Sequence, residues 1–117
     1  MIAIKCKNTD VAKNALSVGW DEMLIALYQW LSFNHPETIL TSTYREGDRG
    51  VHGCIPLRGF DVRSWVFSDP EAICDIVNDK WIYDTDRPQK KVAMIHDVGK
   101  GKHFHFQVHP NTIYKGE

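Results

Sequence analysis

The sequence predicts a single α+β domain over residues 1–117, with two helices packed on one face of a small, largely antiparallel sheet. Two segments carry apolar residues at the three- and four-residue spacing of a helix, and several shorter segments alternate or are β-branched as strands are. A chain of 117 residues that is 43% hydrophobic and 25% charged is typical of one globular domain. We therefore expect one core, with the other face or one edge of the sheet carrying a site.

Composition argues against several classes of partner. The net charge of −1 and the isoelectric point near 6.6 provide no basic face for a nucleic acid. The three cysteines are widely spaced and form no Cys-x-x-Cys pair, so we expect a reducing compartment rather than a disulfide framework or a zinc ribbon. No apolar run is long enough for a signal peptide or a membrane span. We expect no nucleic-acid or membrane partner and a protein that is cytoplasmic as synthesised.

The first helix is predicted to begin at Ser17, its expected N-cap, and to end at residues 34–36, which include a proline. Its apolar stripe has helical spacing and consists of Trp20, Met23, Leu24, Leu27, Trp30 and Leu31. The two tryptophans have aliphatic neighbours on this stripe, so we expect them in the core rather than on a ligand platform. Residues 1–6 alternate weakly and suggest a short edge strand.

A strand followed by a loop is predicted next. Residues 37–45 are rich in β-branched side chains, and residues 46–50 are charged and contain glycines. Arg45 therefore lies where a strand meets a loop, a common position for a substrate clamp, and its planar guanidinium suits a carboxylate. Taken alone, Arg45 is more simply interpreted as a surface residue in an ion pair.

A short strand around Phe60 and Val62 follows, and Asp61 lies between them on the polar face. His52 precedes this strand across a loop that contains a proline. The pair offers one imidazole and one carboxylate to a common ligand.

A second helix is predicted from Ser68 or Asp69, either of which can cap it, with Pro70 in the first turn. Its buried stripe is expected to be Ile73, Ile76, Val77 and Trp81. Residues 91–96 predict a buried strand, and residues 97–101 turn the chain back on itself.

The strand at residues 102–109 is the most informative part of the sequence. Successive side chains of a strand point to opposite faces, which gives an apolar face of Phe104, Phe106 and Val108 and a polar face of His103, His105, Gln107 and His109. Two histidines and a carboxylate form a familiar catalytic zinc set. Strand geometry alone leaves open whether His103, His105 or both bind a metal.

These features come in a recognisable order, with Arg45 at a strand end, then His52 and Asp61, then the His103-x-His105 pair. In that order they resemble the zinc peptidases of the lysostaphin, D-alanyl-D-alanine peptidase and hedgehog group. The closer resemblance is to small D-alanyl-D-alanine carboxypeptidase-like proteins of bacteriophages and prophages. It covers roughly the last two thirds of the chain and implies a hedgehog/DD-peptidase-like fold.

The resemblance also implies a site and an activity. A single zinc ion per chain would be held by His52, Asp61 and His105, while His103 would assist the reacting group and Arg45 would orient the substrate. The implied activity is zinc-dependent hydrolysis of a peptide bond in bacterial peptidoglycan, as in a D-Ala-D-Ala carboxypeptidase or an endolysin-like endopeptidase. Such a protein would be released to the cell wall by other factors.

Two departures from the family pattern stand out. His52 and Asp61 are nine positions apart, against seven in the family, so the extra residues must loop out. In the dipeptidase branch a glutamate three positions before the metal histidine acts as general base, and Lys102 occupies that position here. Lysine is a poor base unless its pKa is strongly depressed, so proton transfer would fall to His103 or to Asp97.

Alternatives follow from other features. Lys102 favours a non-catalytic zinc-binding or structural phage protein on the same fold. Residues 94–100 contain the His-Asp-x-Gly-Lys string of HD-type metal phosphohydrolases, in which His96 and Asp97 would bind metal, although that family needs these residues on helices. Near the site, Gln107 and His109 can bond a ligand's second ring nitrogen. Cys54 is a candidate fourth ligand but a better candidate for a small buried hydrophobe.

Overall fold

The computed structural model describes residues 4–97 and 102–116 and shows an α+β architecture. Its α-helices are α1 (Thr9–Leu16), α2 (Glu22–Asn34) and α3 (Pro70–Lys80). Its strands are β1 (Leu40–Ser42), β2 (Gly59–Val62), β3 (Trp81–Ile82), β4 (Ala93–Asp97), β5 (Lys102–Gln107) and β6 (Ile113–Tyr114). Single 3₁₀ turns form at Val51–Gly53 and Ser64–Val66.

The main sheet brings together strands from distant parts of the sequence. Its order is β1-β2-β5-β4 and every pairing is antiparallel, while β3 and β6 form a separate two-stranded ribbon. The His-rich strand β5 therefore lies between β2 and β4. In the β2–β5 register, Asp61 is paired directly with His105. The predicted antiparallel sheet is confirmed, and its register places the two ligand candidates side by side.

One face of the central strands forms the core. Phe60 and Val62 from β2 and Phe104 and Phe106 from β5 are at most 1% exposed, as the alternation predicts. The Phe106 ring stacks between those of Phe60 and Phe104, with centroid distances of 5.1 and 4.6 Å. Against this face pack side chains from all three helices, among them Val11, Leu24, Leu27, Leu31, Ile73 and Val77.

The start of the first predicted helix was wrong. Ser17 does not cap α2, because it ends a separate helix, α1, whose N-cap is Asn8. The N-cap of α2 is Asp21, whose side chain accepts a hydrogen bond of 2.8 Å from the amide of Met23. Only Val11 and Ala15 of α1 are buried, so the apolar signal for a third helix is weak. The described chain thus has three helices instead of two.

The second predicted helix is α3, and its start is confirmed. Asp69 caps it by accepting from Ala72, and Pro70 occupies the first turn. The predicted buried stripe needs two corrections. Ile76 is 44% exposed, and Trp81 is buried as the first residue of β3, because the helix ends at Lys80.

Two further predictions fall partly on residues outside the described ranges. Of the edge strand expected at residues 1–6, residues 1–3 lie outside the described residues, and Cys6 forms an isolated bridge with Leu40. The predicted turn at 97–101 lies mostly outside them as well. The strands on either side of it, β4 and β5, pair as expected.

Candidate metal centre

Asp61 and His105 form the centre of the site on the sheet face opposite the core. The β2–β5 pairing aligns them, and Asp61 Oδ1 lies 2.7 Å from His105 Nδ1. Both residues are 9% exposed, so neither is solvated as an ordinary surface side chain. A carboxylate and an imidazole therefore meet in a largely water-free position.

His52 reaches the same carboxylate from the 3₁₀ turn. Its Nε2 lies 3.4 Å from Asp61 Oδ1, and the residue is 5% exposed. Two glycines allow the turn to come so close: a Cβ at Gly59 would overlap the Val51 side chain, and a Cβ at Gly53 would overlap the Asp48 backbone. The loop between His52 and Asp61 projects into solvent, with Ile55 67% exposed.

The outward nitrogen of each imidazole is held by an oxygen that can only accept a hydrogen bond. His52 Nδ1 lies 2.7 Å from the carbonyl oxygen of Thr43, and His105 Nε2 lies 3.1 Å from Oε1 of Gln107. The orientation of the Gln107 amide is fixed because its Nε2 donates to the carbonyl of Lys91 at 2.9 Å. In a neutral ring the outward nitrogen then carries the hydrogen and a lone pair faces Asp61, whereas a ring that donates to Asp61 must carry a second proton.

Three acceptors consequently point at one position. The ligand atoms of His52, Asp61 and His105 all lie within 4.8 Å of one another. Lone pairs packed against a buried carboxylate repel it unless a positive charge joins them, either as second protons on the rings or as a metal cation. This group can therefore bind a metal ion, and its outward hydrogen bonds are those that orient metal-bound histidines in proteins.

The charge of Asp61 supports the same conclusion. Burial acts to raise the pKa of this carboxyl, but hydrogen bonds from His105 and His52, donated when these rings carry a second proton, and the charge of the rings outweigh it and hold the pKa well below its usual range. Asp61 is therefore a carboxylate at neutral pH. A bound cation would replace those ring protons and compensate the same buried charge.

The two other predicted site residues line a cleft that reaches Asp61. His103 and Arg45 both border this cleft, which has a volume of about 520 Å³. His103 is partly buried, on the same strand as His105. Arg45 is more exposed and lies 3.3 Å from Asp48, so its ion pair is one that a substrate carboxylate can displace.

Several other candidates lie elsewhere. His109 lies beyond the end of β5 and contacts Tyr83 and Asp84, with a ring-centroid distance of 5.6 Å to Tyr83, so the predicted polar face ends at Gln107. Cys54 is half-buried and its sulfur lies 3.6 Å from the carbonyl oxygen of Gly50. It is not one of the three residues of the metal-binding group.

The motif at His96 and Asp97 has a different structural context from that of the HD-type hydrolases. Both residues lie on strand β4, where His96 is paired with His103 of β5. The His96 ring is 5.6 Å from that of His105, so it belongs to the same imidazole-rich face. Because the HD motif needs these residues on helices, the string carries no evidence for that activity here.

Sequence reasoning missed two kinds of contributor. The carbonyl of Thr43 fixes His52, but a backbone oxygen is present at every position and leaves no sequence signal. The cleft also includes Lys7, from a distant segment, and Arg63 and Trp65, which follow Asp61 closely in the sequence but match no motif that would mark them as site residues. Trp65 is 76% exposed, which is unusual for a tryptophan and identifies it as a candidate contact residue, but this exposure is known only from the fold.

Comparison of the chain with protein-family models, with curated proteins and with solved structures gave no match. Within residues 4–97 and 102–116, none of the helices has the length and apolar character needed to cross a membrane. The function of the protein is therefore inferred from the geometry of the site.

Proposed function

We propose that the protein is a zinc-dependent hydrolase of peptide bonds in bacterial peptidoglycan, a D-Ala-D-Ala carboxypeptidase or an endolysin-like endopeptidase with a hedgehog/DD-peptidase-like fold. The observation that carries the proposal is the convergence of two imidazole lone pairs and one carboxylate, from His52, His105 and Asp61, beside an open cleft. These are the residues that the family resemblance names as zinc ligands.

The donor set supports zinc over other common cations. Two imidazole nitrogens and one carboxylate oxygen suit zinc, whereas calcium and magnesium favour sites made of oxygens alone. Catalytic zinc sites typically have three protein ligands and leave one position for water or substrate. When bound, zinc polarises a scissile carbonyl and makes water acidic enough to attack near neutral pH.

The chain's own residues supply the other functions that hydrolysis needs. His103 borders the cleft next to Asp61 and is the group proposed to move a proton or to donate a hydrogen bond to the developing oxyanion. Arg45 borders the same cleft and is proposed to pair with a carboxylate of the substrate. Lys102 also borders the cleft. At the position where the family has its glutamate base, this chain therefore presents a cation to the substrate.

Hydrolysis of a synthetic stem peptide that ends in D-Ala-D-Ala tests the proposal. The zinc-loaded protein is expected to release D-alanine or to cut the cross-bridged form of the peptide, and His105→Ala is expected to abolish this activity. The matched control is His35→Ala, which removes an imidazole far from the site and should leave activity unchanged. Cleavage that survives in His105→Ala after removal of zinc would overturn the proposal.

A second candidate is a non-catalytic zinc-binding or structural phage protein on the same fold, and Lys102 favours it. This candidate also expects one zinc ion per chain but no cleavage of any stem peptide. Zinc binding without hydrolysis, in a protein whose cleft still binds the peptide, would select it.

A further inference from the structure

The cleft beside the metal centre is strongly cationic although the chain as a whole is not. Four of its lining side chains are positively charged, namely Lys7, Arg45, Arg63 and Lys102, and among the described residues that line it Asp61 is the one carboxylate. The net charge of the whole chain is −1. Positive charge is therefore concentrated at this cleft, and a cation bound to Asp61 would increase it further.

Among the described residues, Lys7 and Arg63 have no carboxylate partner. Within the part of the chain that the structure describes, neither Lys7 nor Arg63 lies within ion-pair distance of an acidic side chain, whereas Arg45 pairs with Asp48. Like charges that share a cleft repel one another, which costs stability unless a ligand compensates them. Unpaired cations that line the same cleft suit an anionic ligand.

An aromatic side chain adds a second kind of contact. The guanidinium of Arg63 lies over the Trp65 ring at 4.9 Å from its centroid, and this stacking holds both groups in place. Trp65 is 76% exposed and borders the cleft. Its ring offers apolar contact area next to a fixed positive charge, which suits a ligand with alternating apolar and anionic groups.

We propose that this cleft binds an acidic peptide with two or more free carboxylates, one held by Arg45 next to the metal centre and another by Lys7 and Arg63 beside Trp65. The peptide class rests on the proposed function, because the adjoining site is proposed to act on peptide bonds. A nucleic acid is disfavoured, since it needs a long basic surface and the net charge of the chain is −1. Carboxylates and phosphate both present anionic oxygens to such a site, so inorganic phosphate is the competing ligand to test.

Binding is tested with the N-acetylated tetrapeptide acetyl-Ala-Glu-Ala-Ala, which has two carboxylates, and with its neutral counterpart acetyl-Ala-Gln-Ala-Ala amide. Titration calorimetry is done at low salt on the full chain, as purified and after removal of metal by a chelator. We compare Lys7→Gln/Arg63→Gln with the control Lys13→Gln/Lys90→Gln, which removes the same charge from exposed positions outside the cleft.

The acidic peptide is expected to bind at least about tenfold more tightly than the neutral one, and Lys7→Gln/Arg63→Gln to lose about tenfold in affinity while the control loses little. Equal affinity for the two peptides, or the same loss in both double variants, would overturn the inference. Inorganic phosphate and glutarate, a small dicarboxylate, are titrated in the same way, and tighter binding of phosphate than of glutarate would overturn the assignment to carboxylates.

Failure of this inference and failure of the proposed function give different experimental results. A protein that binds the acidic peptide but hydrolyses no stem peptide contradicts only the proposed activity. A protein that hydrolyses stem peptides and does not distinguish acidic from neutral ones contradicts only this inference.

Discussion

Single hydrogen bonds decide which atoms of the site are available to a ligand. Gln107 accepts from His105 Nε2 and thereby turns the lone pair of Nδ1 towards Asp61. Thr43 does the same for His52 through its backbone carbonyl. The geometry of the metal-binding group thus depends on residues that contribute no ligand atom.

Gln107→Leu is therefore expected to weaken metal binding by about 10- to 100-fold, because His105 loses the acceptor that fixes its tautomer. Affinity is measured by competition with a chromogenic chelator. Gln107→Glu keeps an acceptor and should retain most of the affinity, while Gln29→Leu on α2 controls for the loss of a surface amide. Unchanged affinity in Gln107→Leu would show that the hydrogen bond has no role in the site.

Lys102→Glu tests the missing general base. If the site hydrolyses peptides, a carboxylate at this cleft position is expected to raise kcat by about 10²- to 10⁴-fold, the usual contribution of general base catalysis. The readout is kcat rather than KM, because loss of a cation from the cleft is expected to raise KM for an acidic peptide. Lys90→Glu is the control, and equal kcat in Lys102→Glu and the native chain would contradict the role assigned to this position.

For single residues, the sequence predicted those features of the site that depend on the type and spacing of side chains. The alternation in residues 102–107 predicted that His105 and Gln107 share a face, and their hydrogen bond confirms it. The same alternation placed His109 on this face, and this prediction was wrong. Alternation does not show where the pairing of a strand ends, and β5 ends at Gln107. The ligand roles of His52, Asp61 and His105 stay a prediction, although the structure brings them together.

At the scale of elements, the site depends on how closely the 3₁₀ turn packs on β2. Gly59 makes this packing possible, since any side chain there would meet Val51 and the carbonyl oxygen of Phe106. His52 follows Val51 directly, so a displaced Val51 moves the imidazole away from Asp61. The close approach of two elements is thus a requirement for the metal-binding group.

Gly59→Ala is expected to lower the free energy of unfolding by about 1–3 kcal/mol through overpacking and to weaken metal binding as well. Urea unfolding of the metal-free protein gives the first effect, and chelator competition gives the second. Gly19→Ala is the matched control, because a Cβ at Gly19 meets no atom within 4 Å. Similar stability and metal affinity in the two variants would contradict this account of the packing.

Elements with strong local signals were predicted, and those stabilised mainly by tertiary contacts were not. The α3 helix has a capping aspartate and a proline in its first turn, and both were read correctly. The α1 helix is eight residues long and buries only Val11 and Ala15, so its apolar stripe is too short to stand out in the sequence. Strand β1 is shorter than residues 37–45 because only Leu40–Ser42 pairs with β2, and pairing is a property of the partner as well.

For the whole molecule, the core and the site lie on opposite faces of one sheet. The core side chains of β2 and β5, such as Phe60 and Phe106, are fully buried on one face, and Asp61 and His105 lie on the other. We therefore expect removal of a bound metal to leave the apolar core in place, unlike in small zinc domains that need the metal in order to fold.

Metal removal is expected to lower Tm without unfolding the chain. At a metal concentration about 100 times the Kd, binding to the native state adds about 2.7 kcal/mol, or roughly 10 °C for a domain of this size. Thermal unfolding followed by circular dichroism, with zinc and with a chelator, measures the shift. An unfolded spectrum at 25 °C in the chelator would contradict the separation of core and site.

The most direct test of the metal centre is the metal content of the protein purified without added metal, determined by mass spectrometry. We expect about one zinc ion per chain, lost in His52→Ala, Asp61→Ala and His105→Ala and retained in His109→Ala, whose imidazole lies in another cluster. The absence of bound zinc from the folded native chain, even after zinc is supplied, would contradict the central claim.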